Sequence, residues 1–210
     1  MTNPLYDELF GKHAGQNTPF LILPDGTVWT HKAFLAKAAK YARVLKETGL
    51  ETGDRVAVQV EKSPDALALY AACVQAGLVF LPLNTAYTVD ELSYFIDNSG
   101  ARAVICDPAR REDLKRVAVP LGAKLETLDG AGQGSLPDKA KDKPDTFETV
   151  ARVQGDLAAF LYTSGTTGRS KGAMLTQANL LSNARTLAEQ WRFTDKDVLL
   201  HALPIFHTHG

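Results

Sequence analysis

Apolar and polar positions recur along this chain with two periods that take turns. Phe34, Ala38, Tyr41, Ala42 and Leu45 stand at helical spacing, and Gly49 follows as a C-terminal stop. Residues 55–60, Arg-Val-Ala-Val-Gln-Val, then predict a strand. Ser63-Pro64 supplies an N-cap and a first-turn proline for a helix with Leu67, Tyr70, Ala71 and Val74 on one face. Gly77 ends that helix, and residues 79–83 predict the next strand. Thr88-Val89-Asp90-Glu91 has the spacing of a capping box, with Leu92, Phe95 and Ile96 behind it and Gly100 at the far end. A strand over residues 102–106 follows, and Asp107-Pro108 opens a helix carrying Leu114 and Val117. Further on, residues 157–161 and 171–175 predict two strands. A helix then has Leu180, Ala184, Leu187, Ala188 and Trp191 on one face, and residues 198–203 predict a last strand.

Strands alternating with helices at this pace predict an α/β fold, a parallel sheet flanked by helices with right-handed crossovers. Residues 129–146 break the pattern: Gly130, Gly132, Gly134, Pro137 and Pro144 lie among alternating Lys and Asp, which predicts a mobile, solvated loop. No internal repeat is visible. From Ala66 to Leu83 Gln75 is the one conventionally polar side chain, long enough to raise a membrane span. Alanine dominates it and Gly77 and Pro82 interrupt it, so a buried helix, a stop and a buried strand account for it better.

Composition narrows the function classes. With 23 basic and 24 acidic residues the formal net charge is −1, which leaves no electrostatic footprint for nucleic acid or an anionic membrane. Cys73 and Cys106 lie in apolar surroundings without metal-ligand spacing, as reduced thiols of a cytoplasmic protein do. The N-terminus lacks the basic start and apolar stretch of a signal peptide. Trp29 and Trp191 read as packing residues.

The chemistry concentrates in one run. Directly after the apolar strand comes Thr163-Ser164-Gly165-Thr166-Thr167-Gly168-Arg169-Ser170-Lys171, then Gly172. Glycines let backbone N–H groups approach an anion, hydroxyls add donors, and the lysine adds full charge, which is what a polyphosphate needs. A Gly/Ser/Thr-rich surface turn is the plainer reading, but it does not call for strand, donors and lysine in this order. The run is not a Walker A loop, because Lys171 is preceded by Ser170 and followed by Gly172. Nor is it a dinucleotide fingerprint, since two threonines separate Gly165 from Gly168.

The run resembles the phosphate-loop signature of the adenylate-forming superfamily: acyl-CoA synthetases, luciferases and adenylation domains. It departs from that signature at Ser170, where the family usually carries proline. Phe206-His207-Thr208-His209-Gly210 resembles the family's acyl-pocket segment. Adenylation domains for amino acids usually carry an aspartate after this phenylalanine, and His207 lacks that permanent charge. This version of the motif, with the run from Phe80 to Tyr87, is most like the malonyl-CoA synthetase branch. The resemblance implies an ATP-dependent acid–CoA ligase that activates a small carboxylic acid, malonate, through an acyl-adenylate. ATP, Mg²⁺ and coenzyme A are the implied small molecules.

By the same resemblance, Thr163 to Lys171 would hold the ATP phosphates, with Arg169 the variable position, while Phe206 and His207 would line the acyl pocket. Residues 1–210 would form the N-terminal portion of the adenylating domain. The magnesium ligand, ribose-binding aspartate and catalytic lysine would lie beyond it, so the segment alone would be inactive. His207 and His209 could also be read as a His-x-His metal pair, but no third ligand stands at recognisable spacing. Another short-chain or aryl acid as substrate, or a non-catalytic nucleotide-binding module, stays open. So does the oligomeric state.

Overall fold

The computed structural model describes residues 2–163 and 170–207. Helix α1 (Pro4–Leu9) is capped by the Asn3 side chain and leads to a two-stranded antiparallel ribbon, β1 (Pro19–Ile22) and β2 (Val28–Thr30). The ribbon turns at Pro24-Asp25-Gly26, where the Asp25 carboxylate accepts from the Thr27 N–H at 2.9 Å and Gly26 takes a φ of 85°. The main body runs α2 (His31–Glu47), β3 (Arg55–Gln59), α3 (Pro64–Gln75), β4 (Val79–Pro82), α4 (Val89–Ser99) and β5 (Ala103–Cys106). It continues with α5 (Arg111–Ala118), β6 (Lys124–Thr127), α6 (Ser135–Ala140), β7 (Leu157–Thr163), β8 (Lys171–Thr176) and α7 (Gln177–Gln190).

Six strands form one sheet in the order β6-β5-β3-β4-β7-β8, parallel throughout except for antiparallel β8 at the edge. Both faces are covered, which explains why the central strands are continuously apolar rather than alternating. Val56 and Val58 of β3, Phe80 of β4 and Ile105 of β5 pack with α2 and α3. Their neighbours Ala57, Leu81 and Val104 point the other way, into a cluster with Leu92, Phe95 and Ile96 of α4 and Leu114 of α5. Thus the crossover leaving β3 lies on one face and the crossover leaving β4 lies on the other. The C-terminal ends of β3 and β4 therefore flank a topological switch point, the place where open α/β sheets leave a crevice.

The caps read from sequence form. Ser63 Oγ accepts from the Ala66 N–H at 3.1 Å, and Thr88 and Glu91 make both halves of a capping box. The stretch from Ala66 to Leu83 resolves into α3, a turn at Gly77 and β4, and among the described residues no helix is long and apolar enough to cross a membrane.

Three expectations are corrected. Residues 129–146 are not a bare loop: they carry α6, whose Leu136 and Ala140 are buried against α2 and the first core cluster. Residues 198–203 form no strand; Val198, Leu199 and Leu200 are exposed, and no backbone ladder joins them to the edge strand β8. Helix α7 buries Leu181, while Leu187 and Trp191 face outward, so Trp191 is not a core residue and packs edge-on against Phe193 instead. Gln177 at the start of α7 fixes this orientation by accepting from the buried Leu5 N–H at 3.0 Å.

Candidate functional site

The phosphate-type run spans the connection between β7 and β8. Thr163 ends β7, Lys171 opens β8, and the two are register partners, with Thr163 Oγ1 donating to the Lys171 carbonyl at 3.4 Å. Because β7 is parallel to β4, this connection leaves the sheet at the same C-terminal edge as the ends of β3, β4 and β5. Ser164, Gly165, Thr166, Thr167, Gly168 and Arg169 lie outside the described residues.

Helix α4 braces the base of the connection. Tyr94 Oη donates to the Ser170 carbonyl at 3.1 Å, and Tyr162 Oη donates to Asn98 Oδ1 at 2.7 Å. The Phe95 and Tyr162 rings stand 4.3 Å apart, centroid to centroid. Burial, with the neighbouring Tyr94, pushes the Tyr162 hydroxyl up to about 12, so it stays a hydrogen-bond donor across the neutral range. Gly172 stands opposite Tyr162, and a Cβ there would fall 2.0 Å from the Phe160 ring, so only glycine fits. Thr163 and Lys171 are exposed, and Ser170 is half-buried. Thr163 and Lys171 thus stand as register partners on a two-strand base, open to solvent.

Those donors suit phosphate oxygens. The Lys171 ammonium does not suit Mg²⁺, which takes oxygen ligands and commonly one or two carboxylates. Among the described residues no group of three or more His, Cys, Asp or Glu side chains could hold a metal ion.

Phe206 and His207 sit on the irregular segment that follows α7. Phe206 is half-buried at the switch point, lining a cavity of about 10 Å³ with Val58, Val60, Phe80, Pro82 and Leu83. That volume is about one water and far below a ligand pocket. Ile205 packs against the first core cluster, and His207 is exposed, its ring 4.6 Å from that of Phe206. His209 lies outside the described residues. Thr163, Ser170 and Lys171 at the ends of the run and Phe206 therefore reach the same sheet edge, although among the described residues no hydrogen bond joins them.

Sequence reasoning missed a third part of this edge. The Arg110 guanidinium donates to Gln59 Oε1 at 3.1 Å and to the Tyr87 carbonyl at 2.9 Å, while Gln59 Nε2 donates to the Asn84 carbonyl at 2.8 Å. Together they hold the turn after β4. A buried glutamine ending an apolar strand was the available signal. The thiols, in contrast, are inert: burial raises Cys73, and burial with Asp107 pushes Cys106 up to about 12, so neither offers a thiolate near neutral pH.

Residues 11–210 match the sequence family described as AMP-binding enzyme. The whole chain superposes on the crystal structures of apo and ATP-bound MatB from Rhodopseudomonas palustris. Each has a TM-score of 0.96 and 50% identity, and the match covers 100% of this chain and 42% of that one. Feruloyl-CoA synthase of Amycolatopsis sp is 34% identical over 182 residues, 87% of this chain and 35% of that protein. Malonate–CoA ligase of Arabidopsis thaliana is 29% identical over 160 residues, 75% of this chain and 26% of that protein. The chain spans well under half the length of these relatives.

Proposed function

We propose, from the premise that this chain belongs to the AMP-binding enzyme family, that the protein carrying it is an ATP-dependent acid–CoA ligase. The observation that carries this reading is the β7–β8 connection: its hydroxyl- and glycine-rich sequence ends in Lys171, which opens β8 at the edge of the sheet where the parallel strands β3, β4, β5 and β7 end. A carboxylate is a poor electrophile, so the reaction first makes it one. Its oxygen attacks the α-phosphorus of ATP, pyrophosphate leaves, and an acyl-adenylate forms. The thiol of CoA then attacks the acyl carbon and AMP leaves, giving the thioester. With both described cysteines buried and protonated, an external thiol is the natural acceptor.

In the first step negative charge spreads over phosphate oxygens, and donors fixed in advance stabilise it without reorganising. Thr163, Ser164, Thr166, Thr167 and Ser170 would supply hydroxyls, Gly165 and Gly168 would let backbone N–H groups approach the phosphates, and Lys171 would be a point charge on the departing phosphates. Arg169 is the variable member of the run. Phe206 forms the wall of the acyl pocket, and His207 orients the acid near its carboxylate.

For the acid itself we favour malonate. The Phe206-His207 version of the pocket motif and the similarity to a malonate–CoA ligase support it. The similarity to feruloyl-CoA synthase supports an aryl acid instead. A cytoplasmic location, supported by the two reduced thiols, belongs to the same proposal. The test is a comparison of kcat/KM for CoA-thioester formation by the full-length protein with malonate, oxalate, acetate and ferulate. A site built for a dicarboxylate leaves its cationic partner uncompensated when acetate binds, so malonate should exceed acetate by at least about 10-fold. Comparable values would remove malonate and leave the reaction class standing.

A further inference from the structure

Segment 198–207 carries the acyl-pocket residues, yet no strand or helix holds it. Among the described residues, two hydrogen bonds tie it to the body of the protein, and both come from one side chain. Lys62, in the turn between β3 and α3, donates its ammonium to the His201 carbonyl at 3.0 Å and to the Leu203 carbonyl at 3.0 Å. In extended chain, carbonyls two residues apart point the same way, so a single ammonium with three donors reaches both. Immediately beyond, Ile205 enters the core and Phe206 enters the crevice between the ends of β3 and β4. The segment is thus fixed at two neighbouring points, one polar and one apolar. A shift of one residue would carry the Lys62 contacts to Ala202 and Pro204 and turn Phe206 out of its crevice.

We propose that Lys62 is a positioning residue for acid binding: it sets the register of the segment bearing Phe206 and His207 against the β3–β4 switch point. This rests on the ligase reading above. Lys62 itself is exposed and sits outside the core, so its contacts matter little to the fold and much to where the segment lies.

The experiment uses the full-length protein and acid-dependent pyrophosphate–ATP exchange, with whichever of malonate, oxalate, acetate or ferulate the wild type uses best. Lys62→Met keeps the aliphatic stem and removes the donors; Lys62→Arg keeps charge and donors. We expect Lys62→Met to raise the KM for the acid about 10-fold while the KM for ATP and the melting temperature stay at wild-type values, and Lys62→Arg to restore most of the loss. An unchanged acid KM overturns the proposal. A parallel rise in both KM values, or a lowered melting temperature, also overturns it, because Lys62 would then be merely structural. Wild-type protein that exchanges with none of the acids fells the ligase reading and the role of Lys62 with it, whereas wild-type exchange with an indifferent Lys62 fells the latter alone.

Discussion

Gly172 and Lys171 are adjacent and do different work. The Cβ of Gly172→Ala would meet the Phe160 ring at 2.0 Å, in a strand pair that cannot part without disturbing the connection above it. Overpacking of this kind costs about 1–3 kcal/mol, to be seen as a lower denaturation midpoint of the full-length protein with an unchanged slope. Lys171→Ala should do the reverse: no loss of stability, because the side chain is exposed, but a loss of about 1.5–3 kcal/mol in ATP use, read from kcat/KM. The sequence made the lysine legible, because its charge and spacing are chemical facts. It could not make Gly172 legible as a packing residue, since the ring it must clear lies across the pair on another strand. The cysteines follow burial. A buried thiol raised above its unfolded value stabilises the fold below that value, and the contribution is lost as pH climbs toward the folded value, about 12 for Cys106. Native protein at pH 8 should therefore resist maleimide at both Cys73 and Cys106 and react once unfolded.

Helices α3 and α4 carry their own end signals, whereas α6 depends on a distant partner. Helices α3 and α4 announce themselves through Ser63, Thr88 and Glu91, which bond within three residues of themselves. Thr88→Ala should cost about 1 kcal/mol in thermal or denaturant unfolding. The Thr88 N–H and hydroxyl hold the Glu91 carboxyl below the usual range. Its contribution is present above the ordinary glutamate value and is lost as pH falls through the folded one. The stability gap between wild type and Glu91→Gln should therefore shrink below about pH 4.

Helix α6 escaped notice because Leu136 and Ala140 stand alone among glycines, prolines and charges, and only α2 across the fold gives them a surface to cover. The opposite error occurred at Val198–Leu203, where an apolar run imitates a strand but finds no ladder among the described residues. The β1–β2 ribbon, absent from the pattern of alternating periods, turns at Asp25-Gly26 between short apolar runs.

At the scale of the molecule, alternating periods sufficed for the α/β class, because β3, β4 and β5 are buried on both faces while α2 and α4 each bury one. Strand order was not legible, since it depends on which face each crossover takes. That order brings the ends of β3 and β4, the Arg110–Gln59 pair, the β7–β8 connection and the Lys62-tethered segment to one edge of the sheet. The candidate site is thus half a matter of local sequence and half a matter of topology. If this edge transfers AMP from ATP to a carboxylic acid, as proposed, labelled pyrophosphate reports it directly. In the full-length protein, label should enter ATP when malonate or another acid of the panel is supplied, should not enter without acid, and should fall sharply in folded Lys171→Ala. Exchange that proceeds equally without any acid, or wild-type kinetics in folded Lys171→Ala, would contradict the account.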